Sequence, residues 1–245
     1  MFVYDGLTLA SVPQNCDLKP TLEIWRDHVY DKLFPLETGM TVVDIGASIG
    51  FFSFYASQKV GPTGRVIAFE PEPTSYRALV ENIEANQAIN VMSVEMGLWS
   101  ECTCKDICPT LGLVGSSFFN CADGINAKLG RLDRVLPKLG ITHVDFVKID
   151  TEGAAMQILE GATEILPCIE NFAIAAYHRQ ENAAQIESFL REYGFRTKTL
   201  RRYGLYPFVY ATRNPSINLQ YVETWQVLLV GGVGILALYF ILRKR

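Results

Sequence analysis

Four carboxylates and one imidazole stand where apolar runs give way to polar or glycine-rich residues: Asp44, Glu70, Asp150, Glu152 and His178. Carboxylates so placed accept hydrogen bonds from hydroxyls, attract cations or take up protons, and an imidazole titrates near neutrality. The densest of these points is Asp44-Ile45-Gly46-Ala47-Ser48-Ile49-Gly50. Glycines at 46 and 50 let a small molecule lie against the backbone. A dinucleotide loop follows G-x-G-x-x-G, in which the middle glycine admits a pyrophosphate. Ser48 occupies that middle position, which argues against a nicotinamide cofactor and hence against a reductase. Asp44, two residues ahead of the first glycine, suits a cation better than a phosphate. S-adenosylmethionine meets both conditions, because it carries a sulfonium, an α-amino group and a ribose but no phosphate. Gly46 and Gly50 would then let its methionine part lie close to the turn.

Glu70 follows Asp44 by twenty-six residues and closes a second apolar run. A carboxylate at that point accepts both hydroxyls of a ribose, as in other nucleotide-binding sites. Methyl transfer from a sulfonium is an in-line displacement, helped chiefly by holding the acceptor opposite the methyl group. A hydroxyl acceptor also needs a base for its proton. Asp150, Glu152 and His178 are the candidate catalytic groups. Lys148 shares a strand face with Asp150, since side chains two apart point the same way, which allows a Lys148–Asp150 pair that would serve structure if nothing else. His28 and His143 read as surface residues.

These residues converge only if strands and helices alternate. Residues 19–34 carry apolar side chains at Leu22, Trp25, Val29 and Leu33, a helical period. Met40–Ile45, Arg65–Phe69, Asn90–Val94, Val144–Ile149 and Asn171–Ala176 read as buried strands. Helices are expected over 49–60, 73–87, 129–139, 153–166 and 183–193, with 100–125 as a loop or small edge hairpin. Phe195–Thr199 and Pro207–Thr212 read as an antiparallel pair. Such alternation predicts an α/β sandwich with a mostly parallel sheet, whose ligand crevice lies beyond the carboxyl ends of the strands.

Three segments, DIGASIGFFS, AFEPEPTSYRALVENIEAN and DFVKIDTEGAAMQILEGA, together resemble the FkbM family of S-adenosylmethionine-dependent methyltransferases over about residues 40–178. The resemblance implies a Rossmann-like class I methyltransferase sandwich, with a mostly parallel seven-stranded sheet and an antiparallel edge hairpin. It also implies O-methylation of a sugar or natural-product hydroxyl. Asp44, Gly46, Ala47, Ser48 and Gly50 match the family's cofactor loop, and Glu70 its ribose acid. Lys148, Asp150, Glu152 and Gly153 match its second signature. The chain departs from the family at Ala155 and Ala176, where carboxylates are common. A catalytically degenerate membrane interaction module is therefore the competing reading.

The remaining features concern location. The net charge of −4, without a basic tract, argues against nucleic acid as partner. The three clustered cysteines Cys102, Cys104 and Cys108 have no nearby histidine and lack zinc-site spacing, so no metal is expected. From Trp225 to Leu242 runs WQVLLVGGVGILALYFIL, followed by Arg243, Lys244 and Arg245. As a helix it would extend about 27 Å, close to the ~30 Å hydrocarbon core of a bilayer. The expected organisation is a helical lead-in over 1–39, a methyltransferase domain over 40–212, a linker over 213–224 and a transmembrane tail over 225–242. No secretory signal is visible at the N-terminus, so the catalytic domain is expected on the cytoplasmic side, acting on a small-molecule or lipid-linked hydroxyl.

Overall fold

The computed structural model describes residues 2–13, 18–109, 116–117, 124–178 and 182–219. Its centre is a seven-stranded sheet of β1 (Thr41–Ile45), β2 (Arg65–Phe69), β3 (Val91–Val94), β4 (Val144–Ile149), β5 (Ile169–Ala175), β6 (Arg196–Arg202) and β7 (Tyr206–Thr212). The spatial order is β6-β7-β5-β4-β1-β2-β3. The five strands β1 to β5 are mutually parallel, and β7 runs antiparallel between β5 and β6. The chain moves outward from β1 to β3, then returns to place β4 on the other side of β1. That reversal opens a crevice at the carboxyl ends of β1 and β4. The expected parallel sheet with an antiparallel edge hairpin is the observed one.

Both faces of the sheet are covered, so its strands read as continuous apolar runs. Along β1, Val43 and Ile45 face one core and Val42 faces the other. Helices α4 (Leu132–Lys138), α5 (Ala155–Glu160) and α6 (Ala183–Glu192) contribute to the first core. Helices α1 (Lys19–Trp25), α2 (Phe51–Val60) and α3 (Pro73–Ala85) contribute to the second. Helix α2 is apolar on nearly every side because it is buried on nearly every side, Phe51, Phe52, Phe54, Tyr55 and Ala56 among its buried residues.

Several expected elements are shorter or different. The lead-in over 1–39 begins with an antiparallel hairpin, Phe2–Tyr4 with Leu7–Leu9, and its helix stops at Trp25 instead of running to 34. Of the four apolar residues that fitted a helical period, Leu22 is exposed, while Ile24, Tyr30 and Phe34 off the stripe are buried, which no single helical stripe produces. His28 breaks the helical path with φ of 49°. Residues 129–139 divide into the end of a strand, Ile125–Gly130, and α4. That strand belongs to a four-stranded sheet with Gly97–Leu98, Thr103–Pro109 and Ser116–Ser117, where a loop or hairpin was expected. Helix α5 ends at Glu160, and Gly161 just beyond it packs on the carbonyl of Trp99, where a Cβ would fall 2.0 Å from the oxygen.

Residues 213–219 are pinned rather than loose. Arg213 N–H bonds the Glu170 carbonyl, Arg196 donates to the carbonyls of Asn214 and Ile217, and Ile217 and Leu219 pack against the second core. The expected transmembrane tail, 225–242, lies outside the described residues; among those described, no helix is long and apolar enough to cross a membrane.

One buried amide holds the N-terminal segment to the sandwich. Asn82 of α3 is fully buried; its oxygen accepts Ser11 N–H at 2.9 Å, and its nitrogen donates to the carbonyls of Ser11 at 2.9 Å and Ile49 at 3.1 Å. Asn82→Ala orphans all three backbone groups. It is expected to lower stability by about 2–3 kcal/mol, read as a reduced midpoint in urea denaturation.

Candidate active site

The glycine turn leaves β1 and is locked from two sides. Gly46 N–H and Ala47 N–H both donate to the Phe69 carbonyl at 3.0 Å, tying the turn to the end of β2. Gly46 has φ of 78°, and a Cβ there would lie 2.1 Å from the Asp150 carbonyl oxygen, so only glycine fits between β1 and β4. Gly50 has φ of 103° and caps α2, where a Cβ would collide with Phe54 at 2.2 Å. Ser48 adopts φ of 52°, a conformation unusual for a side chain other than Gly, Asn or Asp.

Beneath the turn lies a buried ion pair. Strand register sets Lys148 of β4 opposite Asp44 of β1. The Lys148 ammonium is 2.9 Å from Asp44 Oδ1 and donates to the Gly46 carbonyl at 2.7 Å. Asp44 Oδ2 accepts Ser53 Oγ–H at 2.6 Å, and Asp44 is fully buried. Asp44 therefore supports the turn from below and does not line the cleft. The partner of Lys148 is Asp44, not Asp150 as the strand-face rule suggested, because the neighbouring strand brings a carboxylate closer.

The cleft itself contains about 720 Å³ of space including its open mouth. Gly46, Ser48 and Glu70 line one part, Asp150, Thr151 and Glu152 another, and Phe69, Pro71, Met96 and Leu98 give it apolar walls. Glu70 is held by Ser48 N–H at 2.8 Å and Glu72 N–H at 2.9 Å. Burial pushes its carboxyl up to about 7, against the pull of those two N–H groups. Glu72 caps α3 through the N–H groups of Thr74 and Ser75.

On the far wall, His178 lies between two carboxylates. Its Nε2 is 3.1 Å from Asp150 Oδ1 and its Nδ1 is 2.9 Å from Glu152 Oε2. Burial alone would lower the imidazole, but Asp150 and Glu152 together push it up to about 10. The Tyr30 hydroxyl donates to Asp150 Oδ2 at 2.5 Å. Burial would raise Asp150; the hydrogen bond from His178, the Lys148 charge and the Tyr30 hydroxyl outweigh it and hold that carboxyl well below the usual range. His178 is thus an imidazolium at neutral pH. A shift in that direction makes His178 a weaker candidate for general base than an imidazole titrating near neutrality. Ala155 and Ala176, where carboxylates were noted as missing, are buried in the apolar core.

Of the nine expected site residues, Gly46, Ser48, Glu70, Asp150 and Glu152 line the cleft, and His178 contacts two of these, Asp150 and Glu152. Sequence reasoning missed Tyr30, which sits in a segment read as helix, and Met96 and Leu98, whose apolar character carries no local signal. His28 lies in a turn and not on a helix, with Nδ1 2.8 Å from the Tyr55 hydroxyl. His143 is exposed and pairs with Asp145. The side chain of Cys108 lies outside the described residues; Cys102 and Cys104 are exposed and free.

The residues present fit a ribonucleoside. A buried carboxylate stands ready for ribose hydroxyls, apolar walls flank it for a base, and a side-chain-free turn leaves room alongside. This sheet order and site define a Rossmann-like S-adenosylmethionine-dependent methyltransferase. The chain belongs to the FkbM methyltransferase family: the model of the methyltransferase FkbM domain matches residues 44–197. The chain is 29% identical over 208 residues to Methyltransferase sdnD of Sordaria araneosa, covering 71% of this chain and 80% of that one. It is 27% identical to the 31-O-demethyl-FK506 methyltransferase FkbM of Streptomyces tacrolimicus, covering 71% and 79%. The crystal structure of methyltransferase FkbM from Methylobacillus flagellatus superposes with a TM-score of 0.56 at 16% identity, over 78% of this chain. That likeness is one of fold, and this chain spans about half of that structure, 47% of its length.

A carboxyl raised toward neutrality at Glu70 makes its expected part in cofactor binding testable by pH. Its folded value, about 7, lies above the ordinary 4.5, so stability from this group is complete below 4.5 and lost as pH rises through 7. Ionised Glu70 is the better double acceptor for ribose hydroxyls. Cofactor affinity should therefore strengthen about tenfold from pH 6 to pH 8, following the ionised fraction of such a group. Calorimetric titration with S-adenosylmethionine checks this, and the part due to Glu70 should vanish in Glu70→Gln.

Proposed function

We propose that the protein methylates a hydroxyl on a small acceptor, a sugar, lipid-linked or natural-product molecule, with Glu152 as the group that receives the hydroxyl proton. The observation that carries this reading is the unequal state of the three groups on the far wall. Asp150 has both oxygens engaged, by Tyr30 and His178. His178 holds its proton between two carboxylates. Glu152 lines the cleft, its side chain 33% exposed, with Oε2 on His178.

When bound, S-adenosylmethionine supplies a methyl group on a sulfonium, open to in-line attack. Glu70 and the Gly46–Gly50 turn hold the nucleoside and amino-acid parts, and Glu152 orients the acceptor hydroxyl and takes its proton. The His178 imidazolium fixes Glu152 and limits the unfavourable charge of two neighbouring carboxylates. A relative named for a 31-O position supports oxygen as the acceptor atom. A net charge of −4 favours a small acceptor over nucleic acid.

Glu152→Gln is expected to lower methyl transfer by about 10²–10⁴-fold, the usual share of a general base, while cofactor affinity stays within a factor of about two. Transfer from methyl-labelled S-adenosylmethionine into membrane and soluble extracts measures the first, calorimetry the second. Wild-type transfer by Glu152→Gln would remove Glu152 from the base role.

The reading extends to location. The apolar run from Trp225 to Leu242 would tether the catalytic domain to a membrane as a single-pass tail, with the domain on the cytoplasmic side. The full chain should then sediment with membranes and resist extraction by alkaline carbonate. A chain ending at residue 224 should remain in the supernatant and still bind S-adenosylmethionine. A full chain that stays in the supernatant would overturn the tether.

A further inference from the structure

We infer that Tyr30 is a positioning residue of the methyl-transfer site, supplied by a segment that precedes the family domain. It lies fourteen residues ahead of the matched region, 44–197. Its hydroxyl donates to Asp150 Oδ2 at 2.5 Å while His178 occupies Oδ1 at 3.1 Å. Two donors, one on each oxygen, leave the Asp150 carboxylate a single orientation. That orientation sets the plane of the His178 ring, and the opposite ring nitrogen then meets Glu152 Oε2 at 2.9 Å. Tyr30, Asp150, His178 and Glu152 form a continuous chain from the buried N-terminal segment to the cleft wall.

Tyr30 is itself held firmly. It is 5% exposed. Its ring packs edge-on against Phe52 of α2 at 5.3 Å and Phe208 of β7 at 5.7 Å. The Lys148 ammonium stands 5.6 Å from the ring centre. The carbonyl of the preceding residue, Val29, accepts the Tyr210 hydroxyl. Arg202 of β6 anchors the same segment through Glu23 at 2.6 Å and Asp27 at 2.8 Å. Much of this support, Phe208, Tyr210 and Arg202, also lies beyond residue 197. The geometry on the far wall is therefore set by both flanks of the family domain. A phenol that only filled space would not need its hydroxyl aimed at a site carboxylate.

The inference rests on Glu152 as proton acceptor, and its test separates the two. Tyr30→Phe removes one oxygen and keeps the packing. Tyr55→Phe is the control, because Tyr55 makes the same kind of bond, to Asp31 Oδ2 at 2.6 Å, away from the cleft. Both variants of the full chain are followed by thermal unfolding, by the His178 ring resonances in a pH titration, and by transfer of labelled methyl into extracts. Both are expected to lose some thermal stability. Only Tyr30→Phe is expected to move the His178 titration and to lower the transfer rate about tenfold, as misplacement of a reacting group does, with S-adenosylmethionine affinity unchanged. Wild-type His178 behaviour or a wild-type rate in Tyr30→Phe would overturn the inference and leave Tyr30 as packing. If the wild-type chain transfers no methyl group, the reading of function fails, while the His178 titration still decides whether Tyr30 positions that ring.

Discussion

A buried ammonium between β1 and β4 is the constraint on which the site depends. Lys148 faces Asp44 across two parallel strands and also binds the Gly46 carbonyl. Neither charge survives burial alone, since an unpaired ion in the interior costs several kcal/mol. The pair therefore holds the two strands in one register at the point where the sheet reverses direction. Sliding β4 by one residue would turn Lys148 to the opposite face and strand Asp44 in the core. The same ammonium fixes the carbonyl of the glycine that must approach Asp150, so strand pairing and cofactor turn are parts of one arrangement.

From that pair outward, charge alternates through the site. Asp44 is negative, Lys148 positive, Asp150 negative, His178 positive and Glu152 negative, each within reach of the next except at the Lys148–Asp150 step, which acts through space. Alternation lets several ionised groups share a partly buried wall, because each satisfies its neighbour. It also assigns distinct roles to similar side chains. Asp150 has both oxygens engaged, His178 stands between two carboxylates, and Glu152 lines the cleft. Glu70 accepts from the backbone N–H groups of Ser48 and Glu72, and burial raises it to about 7 against their pull.

How much of this was legible in the sequence depends on range. The strand runs, the two glycines and the acid at the end of β2 are local patterns, and the structure reproduces them with shifts of a few residues. The helix expected over 19–34 failed because the apolar stripe included Leu22, which tertiary packing leaves exposed, while Ile24, Tyr30 and Phe34 off the stripe are buried. The four-stranded sheet built around Thr103–Pro109 and Ile125–Gly130 was missed because its strands are short and bury only alternate residues such as Ile107, Ala127 and Leu129, with polar residues between them. Short strands of that kind owe their form to their partners and not to their own composition.

The sequence by itself determined the class of fold and the ligand side of the site. Alternating buried strands and helices require a covered parallel sheet, and a glycine turn with Ser48 at its centre followed by Glu70 suits a nucleoside without a pyrophosphate. Only the tertiary structure decided which charge meets which. Lys148 lies two residues from Asp150 but pairs with Asp44, more than a hundred residues away. His178 is pushed toward its charged form by two carboxylates from another strand end. Tyr30 reaches Asp150 across 120 residues. Such pairings arise from strand register and close approach in a low-dielectric interior, where the nearest opposite charge wins, and distance along the chain carries no trace of them.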